Sequence, residues 1–116
     1  MTDTAFSKIG VNGWASYIHD WSMHKGWWEQ ERNFGEMVAL MHSELSEALE
    51  EWRKGLPVDL VYEEEGKPEG IPVELVDCII RILDVLGAYQ VDVEVVLAQK
   101  MRYNEQRLYR HGGLRA

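Results

Sequence analysis

The chain has little of several things that other folds and functions require. It holds one cysteine, Cys78, among 116 residues, so no intrachain disulfide can form and no oxidising compartment is needed. That thiol lies within an apolar run, where it reads as a small core residue. Basic residues are scarce: 12 Lys and Arg stand against 20 Asp and Glu, a formal net charge of −8. Phosphate backbones are bound through a cationic excess, so a nucleic-acid polymer is not the expected partner, and metal cations suit such a surface better. No uncharged run is long enough to cross a bilayer, and the opening Met-Thr-Asp-Thr-Ala-Phe lacks a basic region leading into an apolar one. A soluble, cytoplasmic protein with no membrane partner is expected.

Strong β alternation is also missing, while apolar residues recur at helical spacing, so the pattern predicts four helices in one domain covering 1–116. The first spans about 12–25, with Trp14, Tyr17, Ile18 and Trp21 one turn apart and Gly26 as its stop. The second spans about 33–54, with Asn33 as N-cap, Glu36 three residues on, and Gly55 and Pro57 behind it. The stretch from about 55 to 71 carries three glycines, most of the proline and the run Glu63-Glu64-Glu65. It reads as a mobile acidic loop, either a lid over a site or a plain solvated connection. The third helix is expected from about Pro72 to Gly87, and the fourth from about Asp92 to Arg110, before Gly112-Gly113. Five Trp in so short a chain need a place to be buried, and a subunit interface or a base-stacking pocket would serve.

Wound at about 100° per residue, the second helix puts Phe34, Val38, Met41, Leu45, Ala48, Leu49 and Trp52 on one face, its expected core side. Glu44, Glu47 and Glu51 form a stripe beside it. The third helix is apolar around most of its circumference and should be the buried element, yet Glu74, Asp77, Arg81 and Asp84 share one stripe of about 80°. Buried acids are costly unless paired or bound to metal. Two helices with carboxylates at i and i+3 can together offer four oxygen ligands to a hard cation such as Mg²⁺. The alternative is a structural salt-bridge network with Arg81, Arg53 and Lys54 as counter-ions. A di-iron bundle is not indicated, because it needs Glu-x-x-His pairs and the chain has none. His19, His24 and His42, at irregular spacing, receive no role.

The order Ser43-Glu44-Leu45-Ser46-Glu47, Glu74-Leu75-Val76-Asp77, then Lys100, Asn104 and Arg107 resembles the MazG-like all-α nucleotide pyrophosphohydrolases, which include dCTP and dUTP pyrophosphatases. The likeness runs from about Trp28 to His111. It implies an all-α four-helix bundle that assembles as a homodimer or homotetramer. It also implies Mg²⁺-dependent hydrolysis, with Mn²⁺ as a substitute, of a nucleoside triphosphate to a monophosphate and pyrophosphate. By that likeness Glu44, Glu47, Glu74 and Asp77 hold the metal, and Glu47 or Glu44 serves the attacking water. Lys100, Asn104 and Arg107 would contact nucleotide, with Trp28 and Asn33 near the base. By geometry Lys100, Asn104, Arg107 and His111 lie within about 60° on the fourth helix, which also suits simple complementation of a helix dipole. Many relatives carry a second acid where this chain has Ser43, and the connection between the acidic pairs is long for the family. The contrasting reading is a non-catalytic acidic helical module for oligomerisation or partner binding.

Overall fold

The computed structural model describes residues 9–107. Within them are four helices, α1 (Val11–His24), α2 (Phe34–Arg53), α3 (Ile71–Ala88) and α4 (Val93–Glu105), and one two-stranded sheet, β1 (Tyr62–Glu64) and β2 (Lys67–Glu69), which sits against α3. The helix boundaries follow the local signals. Asn33 Oδ1 accepts from the backbone N–H of Gly35 at 2.8 Å and of Glu36 at 3.3 Å, capping α2. Asp92 caps α4 by accepting from Val95 N–H at 3.2 Å. Asn12 Nδ2 donates to Asp92 Oδ1 at 2.8 Å, and the Glu94 N–H donates to Asn12 Oδ1 at 3.1 Å. These contacts fasten the start of α4 to the start of α1. The fourth helix ends at Glu105, with Gln106 at its C-cap, so Arg107 lies beyond it and not inside a helix running to Arg110; His111 and the final glycines fall outside the described residues.

The acidic connection is more ordered in form than its composition suggests. Tyr62, Glu63 and Glu64 pair with Glu69, Pro68 and Lys67 in an antiparallel hairpin. Its two turn residues, Glu65 at φ 53° and Gly66 at φ 80°, both lie in the left-handed region that two-residue hairpin turns use. Gly70, at φ 125°, follows; a Cβ there would collide with the carbonyl oxygen of Leu60, so the hairpin base can close only on glycine.

The central helix is α3, which packs on α2 along one side and on α1 along the other, while α4 rests mainly on α1. A Cβ at Gly87 would meet the Ala15 carbonyl oxygen at 2.6 Å, so α1 and α3 approach closely where glycine allows it. Ala15, Ile18 and Leu83 form the core between them, with Val11, Trp14, Ile80, Leu86 and Val93 against it. Cys78 is buried and free. No described helix is long and apolar enough to cross a membrane.

Two packing expectations are corrected. Of the expected core face of α2 only Ala48 is buried, and Phe34, Leu45, Leu49 and Trp52 are exposed. On α3, Leu75, Val76, Ile79 and Ile82 are likewise exposed. The buried sets instead mix acids with apolar residues: Glu44 with Met37 and Ala48 on α2, and Glu74 and Asp84 with Cys78, Leu83 and Val85 on α3.

Candidate metal centre

The i and i+3 spacing on α2 and α3 turns the acidic residues of each helix toward the other. Glu44, Glu74 and Asp77 each place a carboxylate oxygen within 4.8 Å of the others. Glu47, exposed at the edge, lies against the Glu74 carboxyl, and the two share a hydrogen bond. All four expected ligands are therefore neighbours, three of them as a tight group and Glu47 through Glu74.

The electrostatics record the crowding. Burial, then the hydrogen bond and charge of Glu47, then Glu44 and Asp77, push the Glu74 carboxyl up to about 8. Burial and the Glu44 charge raise Asp77 as well, against the opposing pull of Arg81 and Lys67. A second group overlaps the first: Glu51, Glu69 and Glu74 also bring one oxygen each within 4.8 Å of one another. Oε2 of Glu51 is buried without a hydrogen-bond partner. An all-oxygen donor set with repelling, partly protonated carboxyls and an orphaned oxygen fits a hard divalent cation, which would relieve each of these costs.

Arg81 is the counter-ion that the spacing anticipated: its Nε donates to Glu44 Oε1 at 2.9 Å. Arg53 and Lys54 stay exposed and enter no ion pair among the described residues. The salt-bridge and metal readings thus share Glu44, and one arginine does not neutralise the group.

A second polar assembly on the same face of α3 was not assigned from sequence. Asp84, 1% exposed, accepts from Ser22 Oγ at 2.6 Å, from His19 Nδ1 at 2.9 Å and from Trp28 Nε1 at 3.1 Å. Arg32 stands 3.6 Å from its other oxygen. The signal was Asp84 in the α3 stripe, two turns beyond Asp77. Trp28 is thereby placed as a donor to a buried carboxylate, with the Arg32 guanidinium 5.1 Å from its ring centre. Asn33 is occupied as the α2 cap.

Lys100 and Asn104 on α4, and Arg107 just beyond its end, make no hydrogen bond or ion pair with the carboxylates among the described residues. Lys100 and Arg107 both lie over the Tyr103 ring, at 4.8 and 5.9 Å, and Asn104 Nδ2 approaches Met101 Sδ at 3.9 Å. All three are exposed, and α4 makes no extensive contact with α2 or α3.

No protein-family model, curated protein or solved structure matches the chain. Any functional reading therefore rests on the site itself and on the order of its residues.

Proposed function

We propose that this chain is a divalent-metal-dependent nucleoside triphosphate pyrophosphohydrolase of the MazG-like kind, acting on a triphosphate such as a dNTP. The observation that carries the reading is the meeting of Glu44 with Glu74 and Asp77 across α2 and α3, with Glu47 beside Glu74. Water adds to the α phosphorus and the bond to the bridging oxygen of the β phosphate breaks, giving a monophosphate and pyrophosphate. Bound Mg²⁺, or Mn²⁺ in its place, supplies charge neutralisation on the phosphates and a more acidic water.

The side chains divide that work by exposure. Glu44, Glu74 and Asp77, buried or half-buried, hold the cation, with Glu47 as the fourth ligand at the edge. Glu47 is exposed and so reaches bulk water, which suits it to orient the nucleophile and accept its proton. Glu44 is tied by Arg81 in a fixed orientation. Trp28, Asn33, Lys100, Asn104 and Arg107 are carried as nucleotide contacts by the resemblance alone. The exposed apolar strips of α2 and α3 support self-association as a homodimer or homotetramer. A cytoplasmic location agrees with nucleotide chemistry. The same strips favour the second reading, a non-catalytic acidic oligomerisation module.

The deciding experiment incubates the protein with Mg²⁺ and a panel of ribo- and deoxyribonucleoside triphosphates and separates the products. Monophosphate with an equal amount of pyrophosphate is expected. Diphosphate with orthophosphate, or turnover unaffected by excess chelator, would overturn the reading, and no turnover of any triphosphate would leave the module.

A further inference from the structure

Beside the carboxylate cluster, a cavity of about 500 Å³ is lined by Trp27, Arg32, Arg81 and the acids Glu29, Glu31 and Glu36. Its two cations are held by one ring: the guanidinium carbons of Arg32 and Arg81 lie 5.9 and 5.4 Å from the Trp27 ring centre. The Trp27 indole is fixed in turn by an edge contact with Trp21 at 5.0 Å. A smaller void lined by both arginines, Trp27, Met37, Asp84 and Val85 lies next to it. Each guanidinium already has one carboxylate beside it, Glu44 for Arg81 at 2.9 Å and Asp84 for Arg32 at 3.6 Å.

Their existing partners leave most of their donors free. Arg81 spends its Nε on Glu44, and no other hydrogen bond of its guanidinium is made among the described residues. Arg32 faces Asp84 only at 3.6 Å, while that carboxylate already accepts from Ser22, His19 and Trp28 at 2.6 to 3.1 Å. The lone pairs of Asp84 are met by those three donors, and Arg32 offsets its charge from 3.6 Å without a hydrogen bond. The guanidinium fork is thus left for another oxyanion, for which planar paired donors are well shaped.

We propose that Arg32 and Arg81, held over Trp27, form the cradle for the polyphosphate of the substrate, set against the carboxylate cluster through the Arg81–Glu44 contact. The inference rests on the hydrolase reading above and gives it a phosphate-binding wall within the same protomer. Glu29, Glu31 and Glu36 on the outer wall select against a bare polyanion and favour one that arrives with its divalent cation. Arg81 touches both parties: one edge orients a metal ligand, and the other faces the phosphate.

The test uses magnesium tripolyphosphate, which carries no base, and isothermal titration of the full-length protein. Wild type should bind it, and Arg32→Gln and Arg81→Gln should each weaken binding about tenfold or more. Circular dichroism checks that the variants fold. On wild-type protein, mass-spectrometric mapping of phenylglyoxal labelling should show Arg32 and Arg81 protected by the same ligand, which keeps the proposal testable if a variant does not fold. Wild-type affinity in both variants, absence of binding to wild type, or labelling unchanged by ligand would each overturn the cradle. Should the probe bind and protect both arginines while no nucleoside triphosphate is hydrolysed, the cradle stands and the hydrolase reading falls. Pyrophosphate release by wild type with no effect of either arginine on the probe gives the reverse.

Discussion

Arg81 reaches from α3 to Glu44 of α2 and closes the gap between the two helices with a 2.9 Å ion pair, both partners largely shielded from water. Removing one member of such a pair leaves the other charge buried and uncompensated, which costs far more than the pair itself contributes. Arg81→Met should therefore lower unfolding free energy by about 3 kcal/mol in the absence of metal. Because Glu44 is then left to a cation, Mg²⁺ should return part of the loss. Urea unfolding with and without Mg²⁺ measures both quantities. A variant as stable as wild type in chelator would show that Glu44 is adequately solvated.

The raised Glu74 carboxyl makes a signed prediction for the metal-free protein. Its folded value of about 8 lies above the ordinary 4.5, so the native state binds more protons than the unfolded state between those two pH values. Stability from this group is full below about 4.5 and is lost as pH rises toward 8, at about 1.4 kcal/mol per unit at most. Glu44, Glu47 and Asp77 face the group from α2 and α3 and act in the same direction, while Arg81 and Lys67 pull Asp77 the other way. Melting temperature in chelator should fall across this window. Saturating Mg²⁺ should flatten or invert the fall, because the cation favours the ionised carboxylates and stabilises the native state by about 2.7 kcal/mol at a hundredfold excess over Kd. A profile with the same slope with and without Mg²⁺ would remove Glu74 from the ligand set.

The Asp84 assembly should behave as structure and not as catalysis. Asp84→Ala takes the acceptor from Ser22, His19 and Trp28 at once, leaving buried donors unsatisfied. A loss of about 3–5 kcal/mol is expected, with Asp84→Asn milder because it keeps one oxygen acceptor. Equilibrium denaturation of the two variants checks the order.

Gly87→Ala sets two effects against each other. In an open helix interior the change would stabilise by about 1 kcal/mol. Here the new Cβ meets a backbone oxygen of Ala15 at 2.6 Å and the His19 Cβ at 3.0 Å, and neither is the far end of a flexible side chain. Steric cost should prevail, by about 1–3 kcal/mol net. A stabilised variant would mean that α1 and α3 can separate freely.

Much of the arrangement was legible because its signals are local. The Asn33 cap, the glycine stops and the i, i+3 carboxylates fixed where α2 and α3 run and which of their faces carry Glu44 and Glu74. The core faces were misread because periodicity measures how apolar a side is, not how many elements exist to cover it. The three other short helices do not cover α3 all round, so Leu75, Val76, Ile79 and Ile82 stay outside while Glu74 and Asp84 are buried. The hairpin went unseen because its strands are three residues each and its turn is Glu65-Gly66, not the usual Asn-Gly or Asp-Gly. Glu69 and the Asp84 partners are long-range meetings that no spacing along one helix encodes.

The sharpest separation of function from stability lies at Glu47. Its hydrogen bond and charge are, after burial, the next causes of the raised Glu74 carboxyl. Glu47→Gln keeps the shape but removes the charge, so Glu74 should ionise at lower pH and the metal-free protein should lose less stability between about 4.5 and 8. Catalysis should move the opposite way. With a ligand charge and the proton acceptor for water gone, kcat should fall about a hundredfold or more, while KM changes little because the phosphate-binding arginines are untouched. Few structural positions give a gain in stability together with a collapse in turnover, whereas functional carboxylates held in mutual repulsion commonly do. Melting curves over pH in chelator, run beside steady-state kinetics in Mg²⁺, read both effects from one preparation. If turnover falls and the pH profile of stability is unchanged, Glu47 acts on the water without crowding Glu74. If both are unchanged, the exposed carboxylate is a bystander, and the metal is held by Glu44, Glu74 and Asp77 alone.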